Sequence, residues 1–204
     1  MNFIEIVAVA APEYKGQPET RQCPDQYVGQ ICQLIGKVDF PLRMAVTNRP
    51  TSPCLIMVLE SPHTDEFIGA LGPAKGRTGE LIRQYLPEAL DLTSRQNFGL
   101  LLMNPIQQQC SLGEAPGRYR DQVFRAVWAN GGQEDFSARL NSTFKYGDIL
   151  MNCCTGSNDA NTRPPLRSMV EKSIRETLPK VNAMRRTHPA SWKDEKWRGW
   201  EWRF

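Results

Sequence analysis

CLIMVLESPH, residues 54–63, is the stretch on which the reading of this chain turns. Its first six residues are apolar without alternation, the pattern of a strand covered on both faces as in a parallel sheet. Its last four put a carboxylate, a hydroxyl, a proline and an imidazole where that strand must end. Two similar runs follow, FGLLLM (98–103) and ILMNCC (149–154), and then a weaker one, VNAM (181–184). Each gives way to polar or Gly/Pro-rich sequence.

Helical periodicity fills the gaps between these runs. Leu81, Ile82, Tyr85, Leu86, Ala89 and Leu90 form one stripe, with Pro87 expected to kink or end it. Val123, Phe124, Val127 and Trp128 form a second. Leu166, Met169, Val170, Ile174 and Leu178 form a third, entered through Pro164 and Pro165. Nearer the N-terminus, Tyr27, Val28, Ile31, Cys32 and Ile35 predict a helix that stops at Gly36. The alternation predicts an α/β fold: a three-layer sandwich with a central, mostly parallel four-stranded sheet flanked by helices, in a single domain spanning residues 1–204.

The 204 residues are 40% hydrophobic, enough for a real core. The net charge of +3 hides an asymmetry: residues 163–204 carry 11 Lys+Arg against 5 Asp+Glu, and the remainder is net acidic. Trp192, Trp197, Trp200 and Trp202 fall in this basic end. A solvated basic face over core tryptophans accounts for that, and so does a surface that attracts phosphates and stacks on bases. The N-terminal MNFIEIVAVAAPEYK has no basic residue before its short apolar run and includes Glu5, which argues against a signal peptide. No apolar run approaches the roughly 18 residues of a membrane span. The six cysteines form no C-x-x-C pair, so a reducing cytoplasm is expected and a zinc or iron-sulfur site is not.

In such sheets ligands bind beyond the carboxyl ends of the strands. Those ends are Glu60 to Glu66 after the first strand, Asn104-Pro105-Ile106-Gln107 after the second, Thr155-Gly156-Ser157-Asn158 after the third, and Thr187-His188-Pro189-Ala190-Ser191-Trp192 after the fourth. Both histidines of the protein, His63 and His188, are among them. Gly72-Pro73-Ala74-Lys75-Gly76-Arg77-Thr78-Gly79 comes close to a nucleotide phosphate loop. It has one residue too few between its glycines and Arg77 where that motif continues with Lys-Ser/Thr. At a helix N-terminus it still suits an anion, a DNA phosphate better than a nucleotide, although a plain tight turn explains it equally. Ser61 as a hydrolase nucleophile lacks the G-x-S-x-G elbow. Glu60, Asn104 and His188 offer a carboxylate, an amide reader and an imidazole around one crevice.

Four separated pieces, in order, resemble the uracil-DNA glycosylase superfamily. Leu59-Glu60-Ser61-Pro62-His63 is similar to its first motif, a strand ending in G-[QE]-[DA]-P-[YG]. The Gly72 to Gly79 segment is similar to P-F-x-G-x-x-G. Gly99 to Asn104 is like the strand ending in the base-reading asparagine. His188-Pro189-Ala190-Ser191 is like the H-P-[SA] motif of the loop that enters DNA. The resemblance implies a monofunctional DNA glycosylase, in repair or in antiviral defence, that flips a base and hydrolyses its N-glycosidic bond. It implies DNA as partner, a monomer, and neither metal nor nucleotide cofactor.

It also implies roles for particular residues. Glu60 would orient water and stabilise an oxocarbenium-like sugar. His188 would stabilise the departing base, and Asn104 would read its edge. Lys75, Arg77 and Ser191 would touch phosphate, and Trp192 would wedge into the vacated stack. Ala74 takes the place of an aromatic ring that stacks on uracil, and His63 that of a residue, often tyrosine, shielding C5. Those two departures imply a bulkier base than uracil, such as a C5-modified pyrimidine. A noncatalytic reader of damaged or single-stranded DNA on the same fold is the alternative.

Overall fold

Every residue of the CLIMVL run is buried, and its place in the sheet is the reason. The computed structural model describes residues 2–90, 97–156, 164–181, 183–198 and 202–203. In chain order the elements are α1 (Phe3–Ala10), β1 (Gln26–Gln30), α2 (Ile31–Leu34), β2 (Met44–Ala45), β3 (Cys54–Val58), α3 (Arg77–Ala89), β4 (Gly99–Met103), α4 (Pro116–Val127), α5 (Gln133–Thr143), β5 (Ile149–Asn152), α6 (Leu166–Thr177), β6 (Ala183–Arg185) and β7 (Trp202–Arg203). Ser157, Asn158, Trp200 and the side chain of Trp202 lie outside the described residues.

The four strands expected from the sequence are β3, β4, β5 and β6, and they form the parallel centre of the sheet in the order β4-β3-β5-β6. The sheet itself is wider. Among the described residues it has seven strands, because β1 and β2 add antiparallel pairing beside β4, and β7 adds it beside β6. These edge strands are short or irregular, so no run of apolar residues announces them.

β1 corrects the helix expected over residues 27–35. Tyr27 pairs with Leu101 and Gln26 with Leu102, and the register shifts before Gln30. Gly29 sits at that irregularity with φ of +113°, a conformation no helix contains. One helical turn, α2, follows before Gly36 at φ of +72°. The spacing of Tyr27 and Val28 suits a helix face, yet pairing against the open edge of β4 supplies hydrogen bonds that a lone short helix cannot.

Alternate residues of the central strands feed two cores. Ile56, Val58, Leu101 and Met103 pack with α1, α4, α5 and α6 on one face. Leu55, Met57, Leu100 and Leu102 pack with α2 and α3 on the other. The sandwich is therefore three-layered. Pro87 lies within the final turn of α3, which continues two residues further and ends at Ala89. No helix among the described residues is long and apolar enough to cross a membrane.

Candidate active site

The parallel ladder runs past the strand ends and aligns the loops that follow. Leu59 donates to the Met103 carbonyl at 2.8 Å, Cys153 to Val58 at 2.7 Å and Arg186 to Asn152 at 2.9 Å. Beyond this edge lies a cavity of about 280 Å³ bounded by Glu60, Glu66, Asn104, Arg120, Thr155 and His188, with His63 and Arg77 also in its wall. The volume is enough for a single base or nucleoside.

Glu60 is only 5% exposed. Its carboxylate accepts hydrogen bonds from Thr155 Oγ1 and, at 3.3 Å, from Ser61 Oγ, and Arg120 Nε lies 3.4 Å from Oε1. Burial pushes its acidity toward higher pH, with the Arg120 charge and the Thr155 hydroxyl acting against burial. The carboxylate is thus more basic than an exposed one while still paired.

His188 opens a short turn, Pro189–Ser191, and its Nδ1 accepts the Ala190 N–H at 3.2 Å. The hydrogen of a neutral imidazole must then reside on Nε2. Burial, and after it the Arg120 charge, push the pKa down to about 4, so the ring is neutral at pH 7.

Asn104 follows β4 and is held through its backbone. Its N–H donates to Asp25 Oδ1 at 3.3 Å, and its carbonyl accepts from Arg139 Nη2 at 3.2 Å. Arg139 itself pairs with Asp25 at 2.6 Å. The side-chain Nδ2 donates to Glu66 Oε2 at 3.4 Å.

The glycine-rich loop opens α3 at Arg77, with Gly76 as N-cap. A Cβ on Gly76 would lie 2.3 Å from Asp65 Oδ2, and one on Gly79 would lie 1.9 Å from the Ala74 carbonyl oxygen. Gly79 is therefore needed for the loop to fold back on the cavity wall, because it meets backbone, whereas at Gly76 the exposed Asp65 side chain can swing aside. Arg77, exposed at the rim, pairs with Glu80 at 2.6 Å.

Four sequence expectations do not reach the cavity. Trp192 is fully buried, packs into the core beside α3, and donates Nε1–H to the Thr187 carbonyl at 3.1 Å. It anchors the His188 loop from beneath, so it cannot be a wedge. Ala74 is also fully buried and packs into that same core, so it leaves the base pocket no wider. Lys75 turns its ammonium to the carbonyls of Ile68 and Ala70, the latter at 2.9 Å. Ser191 Oγ donates to the His188 carbonyl at 2.7 Å. Both stabilise loops rather than facing the cavity.

Two wall residues lie outside both the four motifs and the strand ends read from the sequence. Arg120 comes from α4, three residues before Val123, and only its place on the border of that apolar stripe hinted at an inward charge. Ser111 also borders the cavity, and nothing in its sequence surroundings marked it. Among the described residues no group of three His, Cys, Asp or Glu could hold a metal. A scan of family models and searches of curated proteins and of solved structures found no match to this chain.

Proposed function

We propose that this chain is a monofunctional DNA glycosylase that flips a modified pyrimidine out of DNA and hydrolyses its N-glycosidic bond, acting as a cytoplasmic monomer in repair or in defence against foreign DNA. The observation that carries the reading is the convergence of Glu60 and a neutral, Nε2-protonated His188 on one base-sized cavity, with Asn104 beside them. Resemblance in four ordered motifs adds the reaction class.

Glu60 would take a proton from the attacking water as it adds to the anomeric carbon, its negative charge facing the oxocarbenium-like sugar. His188 would donate from Nε2–H to the oxygen of the departing base, where charge develops. Extrusion is obligatory, because the glycosidic bond is inaccessible within the stack. Arg77 at the rim would meet a phosphate in exchange for its contact with Glu80. His63, 60% exposed at its side chain, leaves the mouth open where a C5 substituent would project. It is this opening, and not the Ala74 position, that favours a base bulkier than uracil.

The test is incubation with duplexes carrying defined modified pyrimidines, with released bases identified by mass. Glu60→Gln and His188→Ala are each expected to lower base release by about 10²-fold or more, with DNA binding retained. Full activity in either variant removes that residue's role. A noncatalytic DNA reader is the second reading, favoured by the donors that already surround Glu60. Salt-sensitive binding with no abasic product would establish it.

A further inference from the structure

Among the described residues, Glu60 takes its hydrogen bonds from two hydroxyls and not from the cation beside it. Arg120 Nε lies 3.4 Å from Oε1, but Nε and Nη2 of Arg120 both donate to Asp121 Oδ1, at 3.0 and 2.8 Å. Arg120 therefore acts on Glu60 through charge, without the direction that a hydrogen bond gives. Ser61 Oγ donates to Oε1 at 3.3 Å, and Thr155 Oγ1 is the described donor to Oε2. An ionised carboxylate can only accept, so the Thr155 hydroxyl is committed as a donor.

Thr155 is itself held in place. It lies in the cavity wall just past β5, and its carbonyl accepts the Arg167 N–H at 3.0 Å. One residue earlier the Cys154 N–H donates to Asn152 Oδ1, also at 3.0 Å. A β-branched side chain on a backbone pinned in this way has few settings for χ1. The Glu60 carboxylate is thus gripped at both oxygens, from its own loop after β3 and from the end of β5.

We propose that Thr155 is a positioning residue whose hydroxyl holds the Glu60 carboxylate in the setting from which it accepts the proton of the attacking water. This deepens the glycosylase reading and rests on it. In that step the water oxygen bonds the anomeric carbon, its proton passes to Glu60, and the base leaves with the electron pair of the glycosidic bond. The Thr155 bond also favours the ionised carboxylate against burial. The other groups that face Glu60 are the Arg120 and Asp121 charges from α4, which act in opposite senses, and the thiols of Cys110 and Cys154, which burial pushes up and so keeps uncharged.

The experiment measures kcat and KM against pH on whichever duplex wild type processes fastest among those carrying 5-hydroxymethyluracil, 5-hydroxymethylcytosine or uracil. Thr155→Val keeps the shape of the side chain and removes the donor. It is expected to move the acid limb of kcat up by about one pH unit and to lower kcat at pH 7 by about tenfold, with KM close to wild type. Thr155→Ser restores the hydroxyl and is expected to recover most of both effects. The midpoint of the limb is independent of the fraction folded. A Thr155→Val profile superimposable on wild type, or a Thr155→Ser profile no closer to wild type than that of Thr155→Val, overturns the role of Thr155 and leaves the glycosylase reading standing. Release by wild type of none of these bases, nor of any other modified pyrimidine, overturns that reading and this inference with it.

Discussion

Arg120 shows how one side chain acts on the protonation of two others, against burial at Glu60 and with it at His188. Its guanidinium faces Glu60 at 3.4 Å and pairs with Asp121 at 2.8 Å. Its charge favours ionised Glu60 and neutral His188, the combination that the proposed hydrolysis would need. Arg120→Met is expected to raise both pKa values, moving the acid limb of the pH-rate profile to higher pH. The rate at pH 7 should fall by roughly tenfold, equivalent to about 1.4 kcal/mol on the barrier. A profile superimposable on wild type would remove this electrostatic role. Glu66 carries a stability consequence of opposite sense. Its pKa rises from 4.5 in the unfolded chain to about 7 in the fold, so between these values the native state holds a proton that the unfolded chain has released. Stability therefore falls as pH rises through that window, by roughly 3 kcal/mol in all. Glu66→Gln is expected to flatten that slope, stabilising the protein relative to wild type above pH 7 and leaving it little changed below pH 4.5. Urea denaturation at several pH values reads this directly.

Among the elements, the loop after β6 departs most from its sequence reading. His188-Pro189-Ala190-Ser191-Trp192 is legible as a motif, but the position of the tryptophan is not. An exposed wedge and a buried anchor are written with the same letters, and the difference lies in whether core space exists below the loop. Here the space between α3 and the strand ends receives the indole. Arg198 closes the loop over it, donating to the Trp192 carbonyl at 2.6 Å, stacking 3.9 Å over Tyr85 and pairing with Glu88. Trp192→Ala is expected to cost about 3–5 kcal/mol of stability, the range for a large buried aromatic. A DNA wedge would lose binding and little else, so a denaturation midpoint close to wild type would overturn the anchor assignment. Elsewhere the four apolar runs were sufficient to identify the parallel strands, since burial on both faces leaves no polar alternation. β1 escaped because its pairing is with β4, far along the chain, and local periodicity carries no information about a distant partner.

At the scale of the molecule, the sheet separates chemistry from support. The cavity lies at the carboxyl ends of the strands, while at the opposite end Arg49 and Asp148 form a buried pair with contacts of 2.6 and 2.7 Å. Asp148 also accepts the backbone N–H groups of Cys54 and Lys145, both at 2.8 Å. Asp148→Ala leaves the guanidinium buried without its counter-charge and should cost about 3–5 kcal/mol. Activity per folded molecule should be unchanged, checked by pairing denaturation with rate measurements normalised to folded protein. The basic C-terminal end also changes meaning at this scale. Arg185 pairs with Glu171, Arg186 donates to the Ala89 carbonyl at 2.7 Å, and Arg198 clamps α3. Much of that charge binds the fold together, so charge counting overstates the basic surface left for any polyanion.

By itself the sequence determined the parallel centre of the sheet and the loops that carry Glu60, Asn104 and His188, because runs buried on two faces and the residues that end them are local signals. Only the tertiary structure decided which neighbours those residues meet. Glu66 against Asn104 and Arg120 against Glu60 are contacts between distant segments, while burial, not residue type, separated Trp192 and Ala74 from the cavity. Acidity, amide orientation and exposure depend on the low-dielectric surroundings that packing creates, and no stretch of chain encodes those surroundings alone.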